Sequence, residues 1–418
     1  MIAGVLTGNL LGFGRVAVTA YLLGTHSRAD SLAVAMGPID TINSVLINSV
    51  VFAFVPMLTA ASGAQRTALF LKLSHCFALV SAIIGSAVAL GAPWLMRVLA
   101  PGLDSAYFAT SVTVLRILAL STVAAGTGAV QCALLYTARR FAPTAFYQAA
   151  LNVFTMIGAV CLWKLFGVYA FAVGYTAGSW AQLAIVYFAA RRGLETAGVE
   201  SCKIRWQELL AKPLFFVIYA VGLGLNITFT RAYATHVGPG MAAALDYCMR
   251  GVGVPMALLV NPISNSLLPE IARLRSLFRW NDAFRLIDRT IALTALLAVC
   301  GTAFAIAFRT PAIAFFFQHG SFTAESTSMV SAVFLGLGPS IVGWSLLEIG
   351  SRSLFAIDRP WPPVIAAAIP VLLNVTLTMR VHSFRPDLIG IGSSLGLLAG
   401  FTVLFAMLHG NRKRWLAA

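Results

Sequence analysis

Charge is what this sequence has least of. Only 10% of its 418 residues are charged, where soluble domains carry about 25%. Acidic residues are the scarcest, 14 against 29 Lys and Arg. Long polar stretches are missing as well, since 59% of the chain is hydrophobic. A water-soluble globular enzyme is therefore excluded. The six cysteines are Cys76, Cys132, Cys161, Cys202, Cys248 and Cys300. They show no C-x-x-C spacing and fall mostly inside apolar runs, so neither a disulfide framework nor a metal motif is written here. The histidines have no ligand spacing. No Ser-His-Asp set, carboxylate pair or phosphate loop is legible, which reads as a protein that is not an enzyme and needs no metal or cofactor.

What the chain does have is apolar runs of eighteen residues or more along its whole length. They predict an all-α polytopic membrane protein. Twelve candidate spans lie at about 1–24, 32–60, 69–99, 107–137, 142–166, 168–190, 213–235, 240–268, 286–310, 326–355, 361–380 and 388–409. The first run has neither a basic lead nor a small-residue cleavage site, so it reads as a span and not as a signal peptide. The segment 191–212 is the best linker. It divides the chain into an N-terminal six-helix lobe (1–192), a cytoplasmic linker (193–212) and a C-terminal six-helix lobe (213–418). Within it, Glu200 to Leu210 has the pattern of a short interfacial helix with Ile204, Trp206 and Leu210 as apolar contacts.

The halves read as weak repeats. Pro56 answers to Pro269, Ala100-Pro101-Gly102 to Gln318-His319-Gly320, and Pro143 with Leu151-Asn152-Val153 to Pro362 with Leu373-Asn374-Val375. Six helices per half gives both lobes one orientation, related by a pseudo-two-fold axis along the membrane normal. A substrate path is then expected between the lobes near the midplane. The net charge of +15 is a topological signal. With the N-terminus inside, nineteen basic residues fall on cytoplasmic segments and seven on the opposite side, which places both termini in the cytoplasm. These clusters lie between spans and form no separate basic domain, so no nucleic acid is implied.

A few groups sit where hydrocarbon does not tolerate them. An intramembrane charge costs several kcal/mol, about 2.5–3.5 on insertion scales, so such groups face a bundle interior or a wet cavity. Arg15, in Gly12-Phe13-Gly14-Arg15, is a candidate anion-binding cation, because a guanidinium fork takes two phosphate oxygens at once; the alternative is an ion pair with Asp40. Arg250 is a second candidate, and the alternative there is a helical pair with Asp246 four residues earlier. Asp40, Asn43 and Asn48 mark a polar face of span two, and amides can also be interhelical glue. Glu348 has the spacing of a local pair with Arg352, and Arg116 reads as structural. Pro38, Pro255 and Pro262 are candidate bending points.

At these residues the chain resembles a known family. Gly12-Phe13-Gly14-Arg15, Ala29-Asp30 and Ala53-Phe54-Val55-Pro56 look like the opening helix pair of the MurJ/MviN lipid II flippases. Leu268-Pro269, Leu286-Ile287-Asp288-Arg289 and Phe317-Gln318-His319-Gly320-Ser321-Phe322-Thr323-Ala324 resemble that family's second half. The resemblance identifies a divergent twelve-helix member of the multidrug/oligosaccharidyl-lipid/polysaccharide exporter superfamily. It implies a monomer in the bacterial inner membrane that moves a polyprenyl-pyrophosphate-linked glycan, most of all lipid II, to the outer leaflet by alternating access. Arg15 and Arg250 would hold pyrophosphate, Asn43 and Asn48 would meet sugar or head group, and Asp30 matches an acid at the outer end of the first hairpin. Where the family has a basic pair in span two, this chain has Ile42-Asn43.

Three readings stay open on residues alone. The first is that flippase, or a translocase of another lipid-linked oligosaccharide for exopolysaccharide export. The second is an ion-coupled small-molecule exporter with Asp40 or Asp246 binding H⁺ or Na⁺, or driven by membrane potential. The third is a membrane scaffold that recruits glycan-assembly partners.

Overall fold

A computed structural model describes residues 2–61, 63–192, 206–256, 260–381, 388–410 and 412. They form fifteen helices, with no strand among the described residues: α1 (Ile2–Leu23), α2 (Ser27–Ala60), α3 (Gly63–Leu99), α4 (Ser105–Thr137), α5 (Phe141–Phe166), α6 (Tyr169–Arg191), α7 (Trp206–Val237), α8 (Met241–Pro255), α9 (Asn261–Ser276), α10 (Trp280–Ala307), α11 (Arg309–Phe317), α12 (Ala324–Leu337), α13 (Ser340–Ala356), α14 (Trp361–Val381) and α15 (Ile391–Gly410). A helix satisfies its backbone groups within one segment and without water, which is why a chain of long apolar runs in lipid takes this form. Among the described residues, eight helices are long and apolar enough to cross a membrane, and α12 with α13 would make a ninth.

Two of the twelve expected spans are each described as a pair of α-helices. Span eight is α8 followed by α9. Pro255 closes α8, Met256 and Val260 are in wide π turns, and Pro262 lies in the first turn of α9. Proline removes a backbone donor and clashes with the preceding turn, which ends regular α-helix at Pro255; residues 257–259 lie outside the described residues. Span ten is α12 and α13, bent by 44° at Gly338-Pro339. Pro38, by contrast, leaves α2 continuous over 34 residues. Of the expected linker, 193–205 lie outside the described residues. From Trp206 on, the chain is already α7, so the interfacial helix expected over 200–210 is at its C-terminal end part of a 32-residue helix.

The chain divides into two compact units. The first is Met1–Val217 with Gly238–Ala243, and the second is Ile218–Val237 with Ala244–Ala418. In the first, α2 and α3 pack on α4, α4 on α6, α5 on α6 and α1 on α5. In the second, α14 packs on α15, α13 on α15 and α10, and α9 on α10 and α13. Glycine sets the closest approaches. A Cβ on Gly158 of α5 would lie 2.6 Å from the Cα of Gly174 in α6, and one on Gly396 of α15 would lie 2.9 Å from the Cα of Pro370 in α14. Small residues let membrane helices touch along their backbones.

The sequence repeat is visible in the helix ends. α4 ends with Arg139 at φ 56°, and the Arg140 N–H returns to the Leu135 carbonyl. α13 ends with Asp358 at φ 64°, and the Arg359 N–H returns to Leu354. Each is a left-handed C-terminal cap of the kind glycine usually provides. The starts match too. The Asp104 side chain caps α4 through the Ala106 N–H, and that of Thr323 caps α12 through the Ser326 N–H.

Candidate functional site

In the first unit, three helices bring charge together at mid-span. Arg15 of α1 is buried, 7% exposed. Its guanidinium carbon lies 5.9 Å from the centre of the Tyr175 ring on α6, within cation–π range. The Tyr175 hydroxyl donates to Asp40 Oδ1 of α2 at 2.7 Å. Arg15, Tyr175 and Asp40 thus form one set, in which the tyrosine ring faces the cation and its hydroxyl fixes the carboxylate. Sequence reasoning paired Arg15 with Asp40 but missed Tyr175, which is 160 residues from Arg15 along the chain and reads as an ordinary apolar-run aromatic.

Around this set, α2 has two polar faces. Asn43 is buried, and its amide donates to Ser121 Oγ of α4 at 3.1 Å. That bond ties α2 to α4. Asn48 is exposed and donates to the carbonyl and hydroxyl of Ser44 one turn back, at 2.9 and 3.2 Å. Asp40, Ser44 and Asn48 follow at four-residue intervals, so they share a face. Ser44 and Asn48 are open on it. Exposed amide and hydroxyl groups in the middle of a span belong against water or a polar ligand, not against lipid tails.

Asp30 does something else. Its carboxylate accepts from the backbone N–H of Gly240 at 2.5 Å and of Ala243 at 2.8 Å. Those residues open α8, where Gly240 has φ 85°. An acid at a helix N-terminus satisfies orphan donors and meets the positive end of the dipole. The residue is buried, 3% exposed, and holds the chain in place.

In the second unit the acid of the corresponding helix pair is bound directly. Arg231 Nη2 of α7 lies 2.6 Å from Asp246 Oδ1 of α8. Arg250 is one turn further along α8 and partly buried. Next to Asp246, Tyr247 packs on Phe317 and Phe322, with ring centres 6.1 and 5.6 Å away. This accounts for the 317–324 string. Its two phenylalanines anchor the turn, Gln318 Oε1 accepts from Thr327, Gly320 supplies φ 62°, and Thr323 caps α12. Glu348 pairs with Arg352 at 2.6 Å, the local pair that their spacing predicts. Arg116 is exposed and donates to the Ala89 carbonyl at 3.3 Å.

The Leu-Asn-Val repeat has a physical counterpart in each unit. Asn152 of α5 donates to the Gly8 carbonyl of α1 at 3.0 Å. Asn374 of α14 donates to Asn226 Oδ1 and Thr230 Oγ1 of α7 at 2.8 Å each, and its own oxygen accepts from Thr378. Asn226 also donates to Ser393 of α15 at 2.7 Å. These five residues are buried, and none of them is charged. The signal that could have found the network is the pair of four-residue spacings, Asn226–Thr230 and Asn374–Thr378, inside apolar runs.

A family model described as Lipid II flippase MurJ matches residues 19–416. The chain is 26% identical over 426 residues to the probable lipid II flippase MurJ of Rhizobium meliloti (strain 1021), covering 96% of this chain and 78% of that protein. It is 26% identical over 440 residues to the lipid II flippase MurJ of Burkholderia cenocepacia, covering 98% and 82%. Among solved structures, an inward closed conformation of lipid II flippase MurJ superposes with a TM-score of 0.83 at 18% identity, over 100% of this chain and 90% of that one. An inward-facing MATE family transporter of the MOP superfamily gives 0.78 at 10% identity, over 97% and 95%. These two likenesses show a shared fold.

Proposed function

The chain belongs to the lipid II flippase MurJ family, and from that premise we propose that it carries lipid II from the inner to the outer leaflet of the bacterial inner membrane. The observation that carries this reading is the Arg15–Tyr175–Asp40 set. A buried guanidinium at mid-span can take two oxygens of a pyrophosphate, and in a low-dielectric setting that contact is stronger than in water. Tyr175 and Asp40 keep the cation in one orientation. The open Ser44–Asn48 face of α2 offers hydroxyl and amide groups for a sugar head group. In the second unit, the partly buried Arg250 is the candidate for a phosphate contact. Asn43 and Asp30 serve by holding α2 on α4 and the start of α8 in place.

The reaction is transport without covalent change. The cargo's charged head must leave water on one side and regain it on the other, so the site opens to each side in turn. Asp40, which accepts from Tyr175, and Asp246, which pairs with Arg231, are the two candidates for H⁺ or Na⁺ coupling. Both termini are cytoplasmic, the working form is a monomer, and the partners are the bilayer and the lipid-linked glycan.

The test is growth of a bacterium depleted of its own lipid II flippase. The wild-type chain is expected to restore growth. Arg15→Ala at equal protein level is expected to abolish it, and Arg15→Lys to restore part of it, since a point charge replaces a fork. Failure of the wild-type chain removes lipid II as cargo; full activity of Arg15→Ala removes the role of the arginine. A second reading, another polyprenyl-linked oligosaccharide, is favoured by Ile42-Asn43, because Asn43 is held by Ser121 where the family resemblance places a basic pair. A chain that fails on lipid II and restores export of such a glycan would establish it.

A further inference from the structure

The turn between α9 and α10 carries a second kind of surface. α9 ends with Leu277 and Phe278, which are 53% and 83% exposed, and Phe278 has φ 56°. A bulky residue in the left-handed region is uncommon, and here the geometry turns a large apolar side chain outward. Beyond it, α10 has two acids in its first turns, and both have partners. Asp282 pairs with Arg279 at 2.8 Å, and Asp288 pairs with Arg412 at 3.1 Å and faces His409 at 3.3 Å. Arg285 and Arg289 are exposed, one turn apart, and have no acidic partner among the described residues.

Their direction is set by the helix. At 100° per residue, Arg285 and Arg289 share a face with Leu296, Cys300, Ala303 and Ala307, all of them exposed. Leu293, Val299 and Phe304 flank that face and are exposed too. This is the stripe that a 28-residue apolar span turns to lipid tails. Two unpaired guanidinium groups therefore stand where this stripe reaches its polar end, at the depth of head groups. A long arginine stem covers apolar surface while its head reaches the interface.

We infer that Arg285 and Arg289, with Leu277 and Phe278 beside them, form a docking surface for acidic phospholipid head groups. The i,i+4 spacing puts both cations within reach of one phosphodiester. The two apolar side chains insert beside it at the acyl boundary. The surface fits a diacyl lipid with a negative head group, and the inference is independent of which cargo the chain transports.

The test is lipid retention by the purified full chain from mixed bilayers of phosphatidylcholine with a minority of phosphatidylglycerol, read by native mass spectrometry. The wild type is expected to retain phosphatidylglycerol preferentially, more so at low salt. Arg285→Gln with Arg289→Gln should lower that retention roughly threefold or more, with phosphatidylcholine unchanged. Arg285→Lys with Arg289→Lys should restore most of it. Arg191→Gln with Arg192→Gln removes the same charge elsewhere and should change nothing. No preference in the wild type, or an equal loss in the Arg191/Arg192 control, overturns the inference.

Discussion

The two units use similar parts and connect them differently. In each, the first helix carries an arginine and the second an aspartate. In the second unit, Arg231 and Asp246 meet directly at 2.6 Å. In the first, Tyr175 takes the carboxylate with its hydroxyl and presents its ring to the cation. The first arrangement brings an aromatic ring and a hydroxyl from α6 to the charges of α1 and α2. The second has a direct ion pair between neighbouring helices. The lesson is that repeat halves can share a scaffold and still surround their arginine and aspartate with different neighbours. The asparagine anchors show the reverse emphasis, a pair of carbonyl contacts at Asn152 and a multi-helix network at Asn374.

The largest expected effect breaks this comparison through charge. Arg231→Ala takes the 2.6 Å partner from a partly buried carboxylate and is expected to cost about 3 kcal/mol, seen as lost monodisperse protein and a lower melting midpoint. Arg231→Met with Asp246→Leu should regain most of that loss. In the first unit, Arg15→Met with Asp40→Leu should also give folded protein but leave the growth assay negative. Recovery of growth by that double variant would erase the distinction.

Next come the anchors. Asn374→Leu leaves Asn226, Thr230 and Thr378 short of partners and should cost about 2 kcal/mol, against about 1 kcal/mol for Asn152→Leu. Thermal unfolding in one detergent compares them, and equal losses would mean the networks are equivalent. Smaller again are the copied helix ends. Arg139→Gly relieves a left-handed residue and should gain about 0.5–1 kcal/mol. Asp358→Gly should gain less, because Asp358 also pairs with Arg275 at 3.3 Å. The smallest effect concerns pH. Hydrogen bonding to Arg273 holds the exposed Glu270 carboxyl below its ordinary value. Its folded pKa is depressed, so its contribution is present above the ordinary value of 4.5 and fades as pH falls through the folded one. Melting of Glu270→Gln and wild type should differ slightly at pH 7 and converge in acid.

Much of this was legible in the amino-acid order. Apolar runs located the spans, and turn residues located their ends, because hydrocarbon permits one backbone solution. Of the prolines expected to bend their helices, Pro38 leaves α2 continuous, since the neighbours of a membrane helix decide whether a freed carbonyl is tolerated. Arg15 and Asp40 stood out as charges in apolar surroundings. Tyr175 did not, for its hydroxyl matters only once α6 lies against α1 and α2. Asn43 and Asp30 were legible as unusual residues but not in their roles, because a carboxylate reads the same whether it meets a ligand or a backbone amide. The glycine contacts between α5 and α6 were equally silent.

The bend in the second unit has a mechanical consequence. α8 rests on α12, through Cys248 against the Val330 carbonyl and Gly251 against Phe334. α9 rests on α10 and α13. The 44° bend between α12 and α13 therefore falls between two sets of neighbours, α8 on one side and α9 with α10 on the other. Tilting of α12 about Gly338-Pro339 is expected to follow α8 and to leave the seat of α13 on α9 and α10 intact.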